Sequence, residues 1–426
     1  MVYFSKYRQG CVVDNNYRFV IDVLGFQLYQ FNTENELGQA LQIRQCSNRH
    51  PVFFVPGILA STLHMKGTIP KTVPLPRNCP RIVDERLWAS FSQLFPTSRF
   101  QCFVAYVSPV WDNTKMMFET VEGLEVYYKN FPSTKGISTL GSSVNLPFKL
   151  LLKFFGYIVD KLRHAGWQDD VDMFGLGYDW RFGDVNRDDY ASKIKEMIIR
   201  SHEQSGHKVV FVSHSMGGLV TLQLFKFFGL AFCREHIEKL ITISTPIKGA
   251  PKSLRAILSG DTQHLPMSSR LFRTFERRMP SLFMMLPKGF YEERVLVQTP
   301  NKEYKGSDLK ELLNSIDEMK EWSQIVFEET EKRLEFGNTG RWVPWDCLYS
   351  SGIPTEDSYN YPNGFDREPI ITMTAGDGTV PLDSMTKCSH LGAQKEINMG
   401  RFSHKSILKT QRVRTYVYDE ACKDNI

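Results

Sequence analysis

The segment "VVFVSHSMGGLV" (209–220) constrains this chain more than any other. Its first half is a short apolar run of the kind that forms a strand buried on both faces. The run from Leu219 to Phe228 then has the length and pattern of an apolar helix. Only a few residues separate the two, so the chain must turn sharply from strand into helix. Ser213 and Gly217, two before and two after Ser215, are small enough to let the backbones approach. Ser215 stands at the apex, at the helix N-terminus. A capping serine would explain the helix start alone. A sharp strand-to-helix turn also lifts the hydroxyl above the sheet, where a nucleophile is needed.

This is the nucleophile elbow of an α/β-hydrolase, with Ser213 in place of the usual first glycine. A serine hydroxyl is a weak nucleophile until a base takes its proton and an acid orients that base. On this fold the acid precedes the histidine. "ITMTAGDGTVP" (371–381) supplies Asp377 just past an expected strand. "INMGRFSHKSIL" (397–408) supplies His404 after the last one. His390, also beyond Asp377, ranks below it. The oxyanion needs two backbone donors. They are expected at Met216, directly after the nucleophile, and at Ile58 in "VPGIL" (55–59) after an early strand. The long interval between Ser215 and Asp377 leaves room for a cap.

The rest of the 426 residues fits such a core. Strands are expected at 51–55, 171–176, 208–212, 239–244, 369–374 and 395–399, and helices at Leu219–Phe228 and Leu309–Ile325. Their alternation predicts a mostly parallel sheet. Residues 66–150 and 254–345 break the alternation and read as insertions. The expected organisation is an extension over 1–49 without an assigned role, one hydrolase domain over 50–416 with a cap at about 254–345, and a tail over 417–426. Apolar residues make up 42% and charged residues 23%, so a long disordered chain is not expected. The richest apolar stretch, Leu146–Val159, carries Lys149 and Lys153, so no spanning helix is expected. A net charge of +5 with no zinc-finger, RNP or basic tract offers no case for nucleic acid. No H-E-x-x-H or C-x-x-C motif occurs, and a triad with an oxyanion hole needs neither metal nor cofactor.

Together, "VPGI" (55–58), "YDWR" (178–181), "SHSMGG" (213–218), "LYSSGIPT" (348–355), "GDGTVP" (376–381) and "FSHKSIL" (402–408) resemble the lecithin:cholesterol acyltransferase family. The motifs keep the family's order from about residue 50 to 415. The resemblance implies an α/β-hydrolase fold with an inserted cap or lid and a small membrane-binding insertion. It implies acyl transfer from a glycerophospholipid at a membrane or lipid-particle surface. The acyl group would pass through acyl-Ser215 to a sterol-type lipid alcohol or to water. A neutral-glyceride lipase and a catalytically silent lipid-binding hydrolase are the alternatives, although no triad member is lost. The resemblance also implies disulfides Cys79–Cys102 and Cys347–Cys388. Cys11, Cys46, Cys233 and Cys422 stay unassigned, with buried free thiols as the plain reading.

By resemblance, the loop at about 79–102 meets the membrane through Leu87, Trp88, Phe91, Leu94 and Phe95. The lid corresponds to 259–280. As a helix it would put Leu271, Phe272, Phe275 and Met279 on one face and Arg270, Arg273 and Arg277 on the other. Asp179-Trp180-Arg181 reads equally as an ion pair with aromatic packing or as a substrate contact. Disulfides favour a secreted or lysosomal/vacuolar lumen, with peripheral membrane association. The start of the chain lacks a leader pattern and N-x-[ST] is absent, which leaves the cytoplasm open.

Overall fold

The computed structural model describes residues 45–88, 97–140, 153–263 and 268–424, preceded by four strands. Those strands, Val2–Phe4, Gln9–Asp14, Tyr17–Asp22 and Gln27–Phe31, pair in sequence order as an antiparallel meander. The region expected only as an extension therefore contains a sheet.

Six parallel strands form the central sheet: β1 (Val52–Val55), β2 (Met173–Gly175), β3 (Val209–His214), β4 (Ile237–Ile243), β5 (Trp345–Tyr349) and β6 (Lys395–Asn398). Their spatial order is β2-β1-β3-β4-β5-β6, every pair parallel. The strands are continuous apolar runs because both faces are covered. Phe53, Val55, Phe211 and Leu240 face one core, with Leu219 and Leu222 of helix α2 (Met216–Phe228). Val52, Phe54, Val210, Val212, Ile241 and Ile243 face the other. There they meet Ile158 and Leu162 of helix α1 (Gly156–His164) and Val413 and Val417 of helix α3 (Gln411–Ala421). After β2 the chain crosses back over β1 to lay down β3. The order reverses there, so the crevice beyond the carboxyl ends of β1 and β3 is where such a sheet binds ligands.

Three expectations about elements need correction. The strand at 369–374 exists, as Ile370–Gly376, but not in the central sheet. It pairs antiparallel with Ile353–Asn360 in a separate four-stranded sheet, and β5 takes the central place unforeseen. The apolar stretch from Leu309 is not one helix. It ends at Asn314, Ile316 is extended, and a new helix runs Ser323–Arg333. The Ser315 hydroxyl bonds back to the Leu312 carbonyl at 2.6 Å, which favours stopping there. The boundary at 416/417 is also displaced, since α3 runs through it and buries Val417, Tyr418 and Ala421.

All three disulfides are Cys46–Cys422, Cys79–Cys102 and Cys347–Cys388, among the described residues. The last two match the pairing that the resemblance implies. The first corrects the reading of Cys46 and Cys422 as free thiols, while Cys233 is free and buried. Cys11 lies in the meander, where side chains are outside the described residues. Cys46–Cys422 spans 376 positions and fastens β1's approach to α3. The same seam carries Lys423 N–H to the Asn48 carbonyl (2.7 Å) and Ser47 and Asn48 N–H to Asp424 (2.8 Å each). A link over so long a loop restricts the unfolded chain strongly. The double variant Cys46→Ser/Cys422→Ser should lose about 2–5 kcal/mol in denaturant unfolding. An unchanged midpoint would show that the seam holds without its bond.

The insertions pack on each other. The helix Thr97–Val107 meets the helix Ser269–Glu276, with Phe100 against Phe272 (5.4 Å between rings) and Phe103 against Phe275 (5.9 Å). Leu87 and Trp88 do not face outward as expected. Both are buried, because Trp88 donates Nε1–H to the Leu59 carbonyl (2.7 Å) and abuts Trp180 (5.3 Å). Phe91, Leu94 and Phe95 lie outside the described residues. In the lid segment Phe272 and Phe275 are buried as the helical spacing predicts, Leu271 is half-buried, and Met279 is buried beyond the helix end. Of the three arginines expected on the other face, only Arg270 is exposed. Arg273 bonds the Phe365 carbonyl and Asp366 (2.7 Å each), and Arg277 is buried against the Ile257 carbonyl and Glu318. Glu276 accepts the Asp261 N–H at 2.9 Å, and burial holds its carboxyl well above the ordinary range.

Candidate active site

β3 delivers Ser215 at its carboxyl end. The turn into α2 requires φ 56°, ψ −131° at Ser215, a strained conformation for a residue with a side chain. Two glycines make that turn possible. A Cβ on Gly217 would lie 2.3 Å from the Val55 carbonyl oxygen, so α2 could not approach β1. A Cβ on Gly57 would lie 2.8 Å from Ser215 Cβ, which puts the loop after β1 directly against Ser215. Ser213, the replacement for the usual glycine, is buried and its hydroxyl pairs with Thr221 at 2.7 Å.

The structure brings Ser215, His404 and Asp377 together. His404 Nε2 lies 2.9 Å from Ser215 Oγ, and His404 Nδ1 lies 2.7 Å from Asp377 Oδ2. Asp377 Oδ1 accepts N–H bonds from Val380 (2.8 Å) and Thr379 (3.0 Å). Asp377 is fully buried, and burial alone would raise its pKa. The neighbouring His404 charge and hydrogen bond, with the two N–H groups, outweigh burial and hold it below the usual carboxylate value. The acid therefore stays ionised. Since an ionised carboxylate only accepts, Nδ1 carries the imidazole proton and Nε2 is free to accept from Ser215.

Three loops converge to do this. Asp377 follows the strand Ile370–Gly376, His404 follows β6, and the His404 N–H donates to the Asp377 carbonyl at 2.8 Å. Met216 is the first residue of α2, so its N–H has no acceptor within the helix. Ile58 adjoins Gly57, against Ser215. His390 is exposed on a short helix. Arg181, with Asp179, forms an ion pair: its Nη2 and Nε reach the carboxylate at 2.6 and 2.9 Å. No pattern in the sequence marks His214, which directly precedes Ser215. It is buried, and its Nε2 lies 2.9 Å from the His404 carbonyl.

A dog protein, "Lysosomal phospholipase A and acyltransferase", is 29% identical over 345 residues, covering 80% of this chain and 82% of that one. A chicken "Phosphatidylcholine-sterol acyltransferase" is 26% identical over 356 residues, covering 81% and 83%. Among solved structures, a chain of the Tle4–Tli4 complex superposes with a TM-score of 0.50 at 13% identity, over 87% of this chain and 97% of that one. That likeness bears on the fold alone, which is the α/β-hydrolase fold. The sequence model of the lecithin:cholesterol acyltransferase family matches residues 83–339, a span that holds the elbow and the two packed helices of the insertions. With its fold, its elbow and that match in agreement, the chain belongs to the lecithin:cholesterol acyltransferase family.

Proposed function

We propose that the protein is a serine-dependent phospholipid acyltransferase and phospholipase A. The observation that carries this is the continuous chain Ser215–His404–Asp377, at 2.9 and 2.7 Å, in a member of this family. The named activities of the relatives support the substrate class. Ser215 Oγ attacks an ester carbonyl of a glycerophospholipid while His404 Nε2 takes its proton. The N–H groups of Ile58 and Met216 hold the oxyanion. Collapse breaks the ester C–O bond, His404 returns the proton to the lysophospholipid oxygen, and acyl-Ser215 remains. Water or a lipid alcohol then attacks with His404 as base again, giving a free fatty acid or a new ester.

The domain over about residue 50 to the end of α3 carries this chemistry, and Phe91, Leu94 and Phe95 of the disulfide-closed loop meet the lipid surface. Three disulfides and the lysosomal relatives support a lysosomal or secreted lumen.

The test uses vesicles of acyl-labelled phosphatidylcholine with a sterol or a short lipid alcohol, and Ser215→Ala as control. Lysophospholipid, free acid and acylated acceptor are followed together. Lysophospholipid formed by the parent alone is expected, with part of the label in the ester. Label in free acid only would reduce the reading to a phospholipase. No product above the control, at acidic or neutral pH, would sink the phospholipid assignment.

A further inference from the structure

We propose that His214 is a positioning residue that holds the catalytic base His404 at a fixed distance from the nucleophile. The inference rests on the triad reading above and adds a residue to it.

His404 sits in the irregular stretch between β6 and the short turn of helix Ser406–Lys409, where no strand or helix ladder fixes it. Its backbone is tied at both ends instead. Its N–H donates to the Asp377 carbonyl at 2.8 Å, and its carbonyl lies 2.9 Å from His214 Nε2. A carbonyl only accepts, so His214 is the donor and carries its proton on Nε2. His214 and Ser215 are consecutive at the end of β3. This bond therefore links the backbone of the base to the strand that bears the nucleophile. The two imidazoles also lie side by side, tilted by 43° with 4.8 Å between centroids, and Phe155 is edge-on to His214 at 6.4 Å.

The electrostatics suit that role. His404 must become positively charged during turnover, so a second charge beside it would oppose the reaction. Burial, and then the charges of His404 and Lys405, push the His214 imidazole down to about 3, against the opposing effects of its bond to the His404 carbonyl and of Asp377. His214 therefore stays neutral at working pH and keeps donating. Its side chain is 3% exposed, and its donor is spent on the His404 carbonyl, so it is not itself a proton carrier for substrate.

The test compares His214→Leu, which removes the donor, with His214→Gln, whose amide nitrogen can reach the Nε2 position. kcat and KM are measured on a soluble p-nitrophenyl ester, the rate of covalent labelling on a fluorophosphonate probe, and folding by thermal melting. His214→Leu should lose about 10²-fold in kcat and in labelling rate, the cost of a misplaced base, with KM held. His214→Gln should recover most of that loss. A folded Leu variant as fast as the parent, or a Gln variant as slow as the Leu variant, overturns the proposal. If His214→Leu does not fold, His214→Asn, too short to reach, replaces it: Asn slow and Gln fast supports the role, and equal rates overturn it. Ser215→Ala is run in parallel. An active Ser215→Ala overturns the triad reading as well, whereas an inactive one beside a fast His214→Leu overturns the positioning role alone.

Discussion

Ser215→Ala is expected to lower kcat by about 10⁶-fold, His404→Ala by about as much, and the double variant by little more. In the proposed triad the three side chains act as one unit, so the first removal already forfeits what the second would. Within the site the Ser215 hydroxyl meets His404 Nε2, at 2.9 Å. Asp377→Asn should cost about 10⁴-fold. An amide facing Nδ1 favours the wrong tautomer, with the proton on Nε2 where it must be absent. The pH dependence has a definite sign. The Asp377 carboxyl is held below its usual value, so its contribution to stability is complete above the unfolded carboxylate range, about 3.9. It is lost as pH falls through the lower folded value. The stability conferred by the Asp377 carboxylate should thus be flat from neutral pH to about 4 and decline below. The measurement is a set of initial rates and unfolding midpoints across pH. Single losses that multiply in the double variant would show that Ser215 and His404 act independently, against a triad.

Arg181→Met is expected to cost about 3–5 kcal/mol in denaturant unfolding, the penalty for breaking a buried ion pair on one side. The Arg181 side chain has no solvent exposure. Besides Asp179 it serves the Val107 carbonyl (3.2 Å) and Thr120 Oγ1 (3.0 Å). It thus ties the loop after β2 to the end of the helix Thr97–Val107 and to the strand region beyond it. Removing it leaves Asp179 as a largely buried carboxylate without its partner. Asp179→Asn added to Arg181→Met should cost less than the two separate losses combined. A loss below about 1 kcal/mol would class the pair with exposed ones and return Arg181 to the substrate-contact reading.

The parts legible in the sequence were those where local pattern and tertiary role coincide. β3 and α2 announce themselves because a strand buried on both faces and a helix buried nearly all round must both be continuously apolar. Asp377 and His404 were found because each lies at the end of an extended run, in the order the elbow requires. One strand shows the opposite case. Ile370–Gly376 reads as a strand, yet its burial pattern is mostly exposed and it belongs to another sheet. Periodicity reports that a segment is extended and cannot report its neighbours. Leu87 and Trp88 show the same limit: an apolar cluster in a loop suits lipid or core equally, and only the bond from Trp88 to the Leu59 carbonyl decides for core. Cys46 and Cys422 were unpairable on paper because connectivity is a property of distance in space.

By itself the sequence determined which residues stand at the carboxyl end of the sheet: a serine at a strand-to-helix turn, an acid and a histidine after it, and small residues where backbones must touch. Those choices are local, set by sterics over a few residues. The tertiary structure alone decided which strands are neighbours, which arginines are buried and paired, and how His404 is held. His404 is tied to Asp377 by its N–H and faces His214 with its carbonyl, across 27 and 190 positions of chain. Contacts over such separations leave no local pattern, because each residue type is compatible with many partners until the fold brings one within hydrogen-bond reach.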